Sequence, residues 1–161
     1  KNNDMLSLID YEHFKKSLKI ESNYTYNDNA IVHMMINKVI LFTENHEYEI
    51  NDISIQKINR DVHTYFMPYD ELFKNYYAGF NWYFHKKSYS DDYCSGSAMK
   101  LDLVFKIGYR HYYSVHIKAI EKDGKIISGP AKTVKTLLKD ANCTTIDEFV
   151  KNNTLRMRVN W

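Results

Sequence analysis

The sequence predicts an α+β fold: a single domain with a central sheet of about five to eight strands and three to four short helices. The sheet is expected to be mostly antiparallel, with mixed pairing left open. Three observations predict this fold. The length, 161 residues, is that of one ordinary domain able to bury its own core. Residues 99–128 alternate apolar and polar across two turn signals, Gly108 and Asp123-Gly124, as three consecutive hairpin strands do. Residues 131–140 and 145–152 instead carry helical spacing and helix-start chemistry.

Taken in order, Leu6–Leu18 places Leu6, Ile9, Phe14 and Leu18 near one helical face and reads as a short helix. Asn23–Asn29 is turn chemistry. Ala30–Thr43 is read as a hairpin, IVHMMI then VILFT, because the second half is β-branched and Asn37-Lys38 suits a two-residue turn. Tyr48–Ile50, Ile53–Ile58 and Val62–Phe66 follow as strands. Tyr69–Ala78 has acids in its first turn and Gly79 behind it, which predicts a helix. Phe80–His85 is a strand, and Lys86–Gly96 a polar loop.

Met99–Ser128 then supplies the centre of the sheet, with Leu101, Leu103, Phe105 and Val115 as its firmest core positions. Pro130 opens a helix through Asp140, with Ser128 or Gly129 as its cap and Val134, Leu137 and Leu138 as its buried stripe. Thr145-Ile-Asp-Glu148 is a capping box for a last helix to Asn152. Leu155–Trp161 alternates and returns as a strand.

Composition narrows the function classes. The net charge of +2 does not by itself imply a polyanionic partner. Its distribution is uneven: residues 1–99 hold 10 Lys+Arg and 14 Asp+Glu, whereas residues 100–161 hold 12 and 6. A basic C-terminal region could face nucleic acid or an acidic protein, or simply pair with the acidic half within one fold. No apolar run reaches the 18 or so residues of a membrane span, and the start KNND has no signal-peptide character. A cytoplasmic location without a membrane partner is therefore expected. Lys outnumbers Arg 18 to 4, and Asn, Ile and Tyr are abundant, a bias typical of AT-rich genomes, phages and plasmids among them.

Cys94 and Cys143 match no CxxC or zinc spacing; they form either one disulfide or, as expected in a reducing compartment, two free thiols. None of the seven histidines shows HxH or HExxH spacing, so no metal site and no cofactor are expected. With 5 Gly in all, there is no phosphate-cradling loop.

One constellation carries chemistry. Asp102 on one strand, followed by His116-x-Lys118 on the next, resembles the Asp…acid-x-Lys layout of metal-dependent nucleases of the restriction-endonuclease-like superfamily. In that layout carboxylates hold Mg²⁺ and the Lys steadies the attacking water or scissile phosphate. The element order from the helix at 69–78 to the strand at 155–161 is similar too, and Asp70 or Glu71 is placed to add a carboxylate. His116 stands where the layout has an acid, and imidazole is a poor Mg²⁺ ligand, so the resemblance implies a degenerate site. The plainer alternative is a solvated cross-strand trio.

For binding, Arg110-HYYSVHI resembles an RNA-recognition strand, without its glycines, and Tyr109, Arg110 and Tyr112 are its candidate contacts. Lys132, Lys135, Lys139, Arg156 and Arg158 are the basic candidates. The aromatic cluster Tyr65, Phe66, Tyr69, Phe73, Tyr76, Tyr77, Phe80, Trp82, Tyr83 and Phe84 is expected to exceed what a core absorbs and so to form a recognition surface.

The leading expectation is accordingly a non-enzymatic accessory protein that binds a protein or a protein–nucleic-acid complex. A phage or mobile-element inhibitor of a host nucleic-acid-handling complex, anti-CRISPR-like, is one such role. Direct DNA or RNA binding through the basic C-terminal region is the first alternative, and a degenerate metal-dependent nuclease the second.

Overall fold

The structure, a computed structural model, describes residues 28–59, 68–74, 79–108 and 111–160. The expected helix at 6–18, the strand at 62–66, and Tyr109 and Arg110 lie outside these residues. The elements are α1 (Asp28–Asn37), β1 (Val39–Phe42), β2 (Glu47–Asn59), α2 (Pro68–Leu72), β3 (Gly79–Phe84), β4 (Leu101–Gly108), β5 (His111–Lys122), β6 (Lys125–Ser128), α3 (Pro130–Asp140), α4 (Ile146–Asn152) and β7 (Arg156–Val159). The seven strands form one sheet in the order β3-β4-β5-β2-β1-β7, and β6 pairs with β5 where β4 has ended. Every pairing among the described residues is antiparallel. The α+β class, the strand number and four helices among the described residues agree with the sequence.

The main core lies on one face of the sheet. Phe80, Trp82 and Phe84 of β3, Leu101, Leu103 and Phe105 of β4, and Tyr113, Val115 and Ile117 of β5 alternate onto it. Ile31, Met34 and Met35 of α1, Val134, Leu137 and Leu138 of α3, and Ile146 and Phe149 of α4 close it from outside. Their apolar burial, at about 25 cal/mol per Å², dominates the stability. The other face carries a smaller cluster in which Tyr69 and Phe73, from α2 and the turn after it, pack on Tyr83, Val104 and Tyr112.

Three local expectations change. The segment IVHMMI is the body of α1, not a strand, and Asp28 and Asn29 begin that helix rather than a turn. Ile31, Met34 and Met35 recur at helical spacing and are all buried, a burial that overrides the β-branched character of the neighbouring residues. Tyr48–Ile50 and Ile53–Ile58 are one strand of 13 residues, β2, because two register shifts beside the Asp52–Ala119 pair, skipping Asn51 on β2 and Lys118 on β5, interrupt the ladder without ending it. Finally, α2 stops at Leu72, so Gly79 opens β3 instead of capping a helix.

Candidate functional site

Strand alternation builds the site on the face opposite the main core. Because Leu101 and Leu103 face that core, Asp102 must point away from it, and Val115 and Ile117 direct His116 the same way. The register sets Tyr83 against Asp102 and Asp102 against His116 in one cross-strand row. One residue past β3, His85 keeps the ladder through its N–H to the Lys100 carbonyl at 3.0 Å and falls on the face of Tyr83. α2 lies over the row and lowers Tyr69 onto it.

These placements join His85, Asp102 and His116. The Asp102 side chain is fully buried, while the two imidazoles are about one-quarter exposed, at 26% and 24%. His85 Nε2 donates to Asp102 Oδ2 at 2.6 Å and His116 Nδ1 donates to Oδ1 at 2.5 Å. The rings stand 5.7 Å apart between centroids. Tyr69 Oη and Ser114 Oγ each donate to Oδ2 at 3.0 Å. Four donors thus converge on one carboxylate in an apolar setting, which satisfies it as a buried charge requires.

The electrostatics follow. Burial alone would push the Asp102 carboxyl up, but the hydrogen bonds and charges of His116 and His85 outweigh it and hold the group below its ordinary range. Burial and then the Asp102 charge push the Tyr69 hydroxyl far above the ordinary phenol value, so it remains a donor. An ionised, inaccessible carboxylate between two accessible imidazoles is the kind of perturbed cluster that marks functional sites.

The donor set also fits a metal ion. One nitrogen of each histidine and one Asp102 oxygen lie within 4.8 Å of one another. Two imidazoles and a carboxylate suit late first-row divalent ions, and three protein ligands leave coordination positions open. Ser114 and Tyr69, bonded to the ligating carboxylate, supply the outer hydrogen bonds that orient such ligands. The expectation of no metal site rested on sequence spacing. Here the donors come from separate strands, His85 standing 17 residues and His116 14 residues from Asp102, so no short motif arises.

Of the sequence candidates, Asp102 and His116 meet, and Lys118 is exposed two residues on, at a register shift between β5 and β2. The solvated-trio alternative fails at Asp102, which no solvent reaches. Neither Asp70 nor Glu71 supplies a carboxylate to the centre: Asp70 accepts from Tyr112 Oη and Glu71 pairs with Lys74. Tyr69, their neighbour, reaches it instead. His85 was missed. The alternation Phe80, Trp82, Phe84 was the available signal, because it places residue 85 on the Asp102 face once β3 and β4 pair.

Tyr112 is buried in the smaller cluster rather than presented for stacking. Lys132, Lys135 and Lys139 are exposed on α3, over the main-core face. Arg156 and Arg158 are exposed on the opposite face of β7, where Arg158 pairs with Glu47 at 3.2 Å. The sheet therefore separates the two groups. The aromatic surface is also corrected, since Tyr69, Phe73, Phe80, Trp82, Tyr83 and Phe84 are all buried; Tyr65, Phe66, Tyr76 and Tyr77 lie outside the described residues. Cys94 and Cys143 are free thiols. No helix among the described residues is long and apolar enough to cross a membrane.

Comparison with known proteins adds no relative: no family model, no curated protein and no solved structure matches the chain.

Proposed function

We propose that the protein binds one late first-row divalent metal ion through His85, Asp102 and His116 and uses it for hydrolysis. The observation that carries this reading is the convergence of the three donors, one fully buried and two at the surface, on a sheet that fixes their spacing. A structural site closes four ligands around its ion, whereas three leave room for water or substrate. A bound ion of this class lowers the pKa of its water and polarises an ester or amide oxygen. The chain's own residues hold the donors. Ser114 and Tyr69 fix the carboxylate, the β3–β4–β5 register fixes the separation of the imidazoles, and the α2 cluster keeps water from the rear of the site.

Equilibrium dialysis against Zn²⁺ followed by elemental analysis tests this. The wild type retains one ion per chain, and His85→Ala and His116→Ala retain none. No bound ion in the wild type, or full retention in both variants, contradicts the reading.

A second reading, a macromolecule-binding accessory protein of the anti-defence kind, is supported by a separate observation. Lys135 and Lys139 border a groove of about 670 Å³ between α3, α4 and residues 93–96, and Lys132 is exposed on the same helix. On this reading Lys132→Glu, Lys135→Glu and Lys139→Glu together abolish capture of a partner protein or complex, while a pull-down that recovers no protein partner, together with tight, salt-sensitive binding to bare DNA or RNA, counts against it.

A further inference from the structure

We infer that the substrate taken at this centre is a phosphate ester; the inference rests on the metal-binding reading above. The observation is the pair of cations at its mouth. Lys100 precedes Asp102 by two residues and lies on its face, since Met99 and Leu101 on either side of it are buried in the main core. Lys118 follows His116 by two residues, with Ile117 in the main core between them; it is the extra residue at a register shift between β5 and β2, and the next main-core residue of β5 is Ile120. Each lysine stands two residues along the chain from a member of the centre, at most about 7 Å of backbone, a separation that a flexible lysine stem can span.

The β4–β5 ladder ends at Asp102 opposite His116, and just beyond it the Lys118 carbonyl accepts from Gly129 N at 2.8 Å where β6 joins β5, so Lys100 and Lys118 flank that end of the ladder. Both side chains are exposed, and neither makes a hydrogen bond or ion pair among the described residues. Elsewhere in the molecule Lys122 and Arg158 are matched by Asp140 and Glu47. The mouth thus carries two unmatched positive charges over an anion-tolerant centre. That arrangement concentrates and orients an anionic group carrying two or three peripheral oxygens, which a phosphate ester has and a carboxylic ester lacks.

The reaction balances with water alone. One P–O bond forms from water, the ester P–O bond breaks, and the proton of water passes to the departing alkoxide or aryloxide oxygen. Lys100 and Lys118 hold the non-bridging oxygens and do not exchange protons in this scheme. They are binding residues.

The test uses the full chain loaded with Zn²⁺, Co²⁺ or Mn²⁺, with three chromogenic substrates: bis(p-nitrophenyl) phosphate, p-nitrophenyl phosphate and p-nitrophenyl acetate. Turnover of one or both phosphates is expected, the diester and the monoester arms distinguishing a nucleic-acid-like from a small-molecule substrate. Inorganic phosphate competes. In Lys100→Gln/Lys118→Gln the KM for the phosphate rises about tenfold or more, phosphate competition weakens in step, and metal stoichiometry stays at one. Bound metal without phosphate turnover or phosphate competition overturns this inference and leaves the metal centre standing. So does an unchanged KM in the double variant, or turnover of the acetate alone. Absence of bound metal overturns both.

Discussion

Asp102 is ionised yet inaccessible, and Tyr69, Ser114, His85 and His116 all donate to it. Removing one partner of such a buried network leaves the others desolvated and unmatched. Asp102→Asn, which keeps the volume, is therefore expected to cost about 3–5 kcal/mol of unfolding free energy, read from urea denaturation. A loss below about 1 kcal/mol would mean that the carboxylate does not organise its neighbours as described. Asp140 is a second tied carboxylate: it accepts from Lys122 Nζ at 2.7 Å and from Tyr48 Oη at 2.6 Å. Burial pushes it up, but those two hydrogen bonds prevail and hold it below the ordinary 3.8. A folded-state value below the unfolded one means a contribution complete above pH 3.8 and lost as the pH falls through the folded value. The stability gap between wild type and Asp140→Asn is thus expected to be widest near neutrality and to close in acid, as urea unfolding across a pH series would show. A gap that does not vary with pH would refute it. At this scale the sequence was half legible. Asp102 and His116 stood out because strand alternation pairs them, whereas His85 and Tyr69 join them only through the β3–β4 register and the crossing of α2, which are long-range facts.

Local chemistry made some elements readable and tertiary contact hid others. The Thr145 side chain accepts from Glu148 N at 3.1 Å, and the Glu148 carboxylate accepts from Thr144 N at 2.8 Å, so the capping signal in the sequence is made in the fold. Thr145→Ala should cost about 1 kcal/mol, measurable as a lower denaturation midpoint with unchanged slope. On α3, Thr133 is fully buried and its hydroxyl has no partner among the described residues. Thr133→Val, of nearly the same shape, should stabilise by about 1 kcal/mol, and destabilisation by a similar amount would reveal a hydrogen bond there. In the sequence IVHMMI reads as a strand because its apolar residues leave the period ambiguous in so short a run; only packing on the sheet decides it. β2 reads as two strands in the sequence because Asn51-Asp52 interrupts the apolar alternation, and a register shift shows only once a partner strand is present.

The molecule as a whole is one antiparallel sheet with different tasks on its two faces. α1, α3 and α4 cover the apolar face, which holds the larger of the two buried clusters. The other face, partly covered by α2, holds the smaller cluster and the histidine–carboxylate centre. The centre spans the rows of three strands, so its geometry is as rigid as the sheet's hydrogen-bonding and moves little when a loop moves. The fold class was legible because alternation and helix-start chemistry are local. The division of labour between the faces was not, because the described aromatics of the expected recognition surface, Tyr69 and Tyr83 among them, are core residues, Tyr69 with its hydroxyl tied to Asp102.

The central claim is that His85, Asp102 and His116 form a metal centre, and titration of the metal-free protein with Co²⁺ tests it most directly. The account predicts visible d–d absorption that saturates at one equivalent, is displaced by Zn²⁺, and is absent from His85→Ala, His116→Ala and Asp102→Asn. No absorption in the wild type, or the same spectrum and affinity in all three variants, would contradict it.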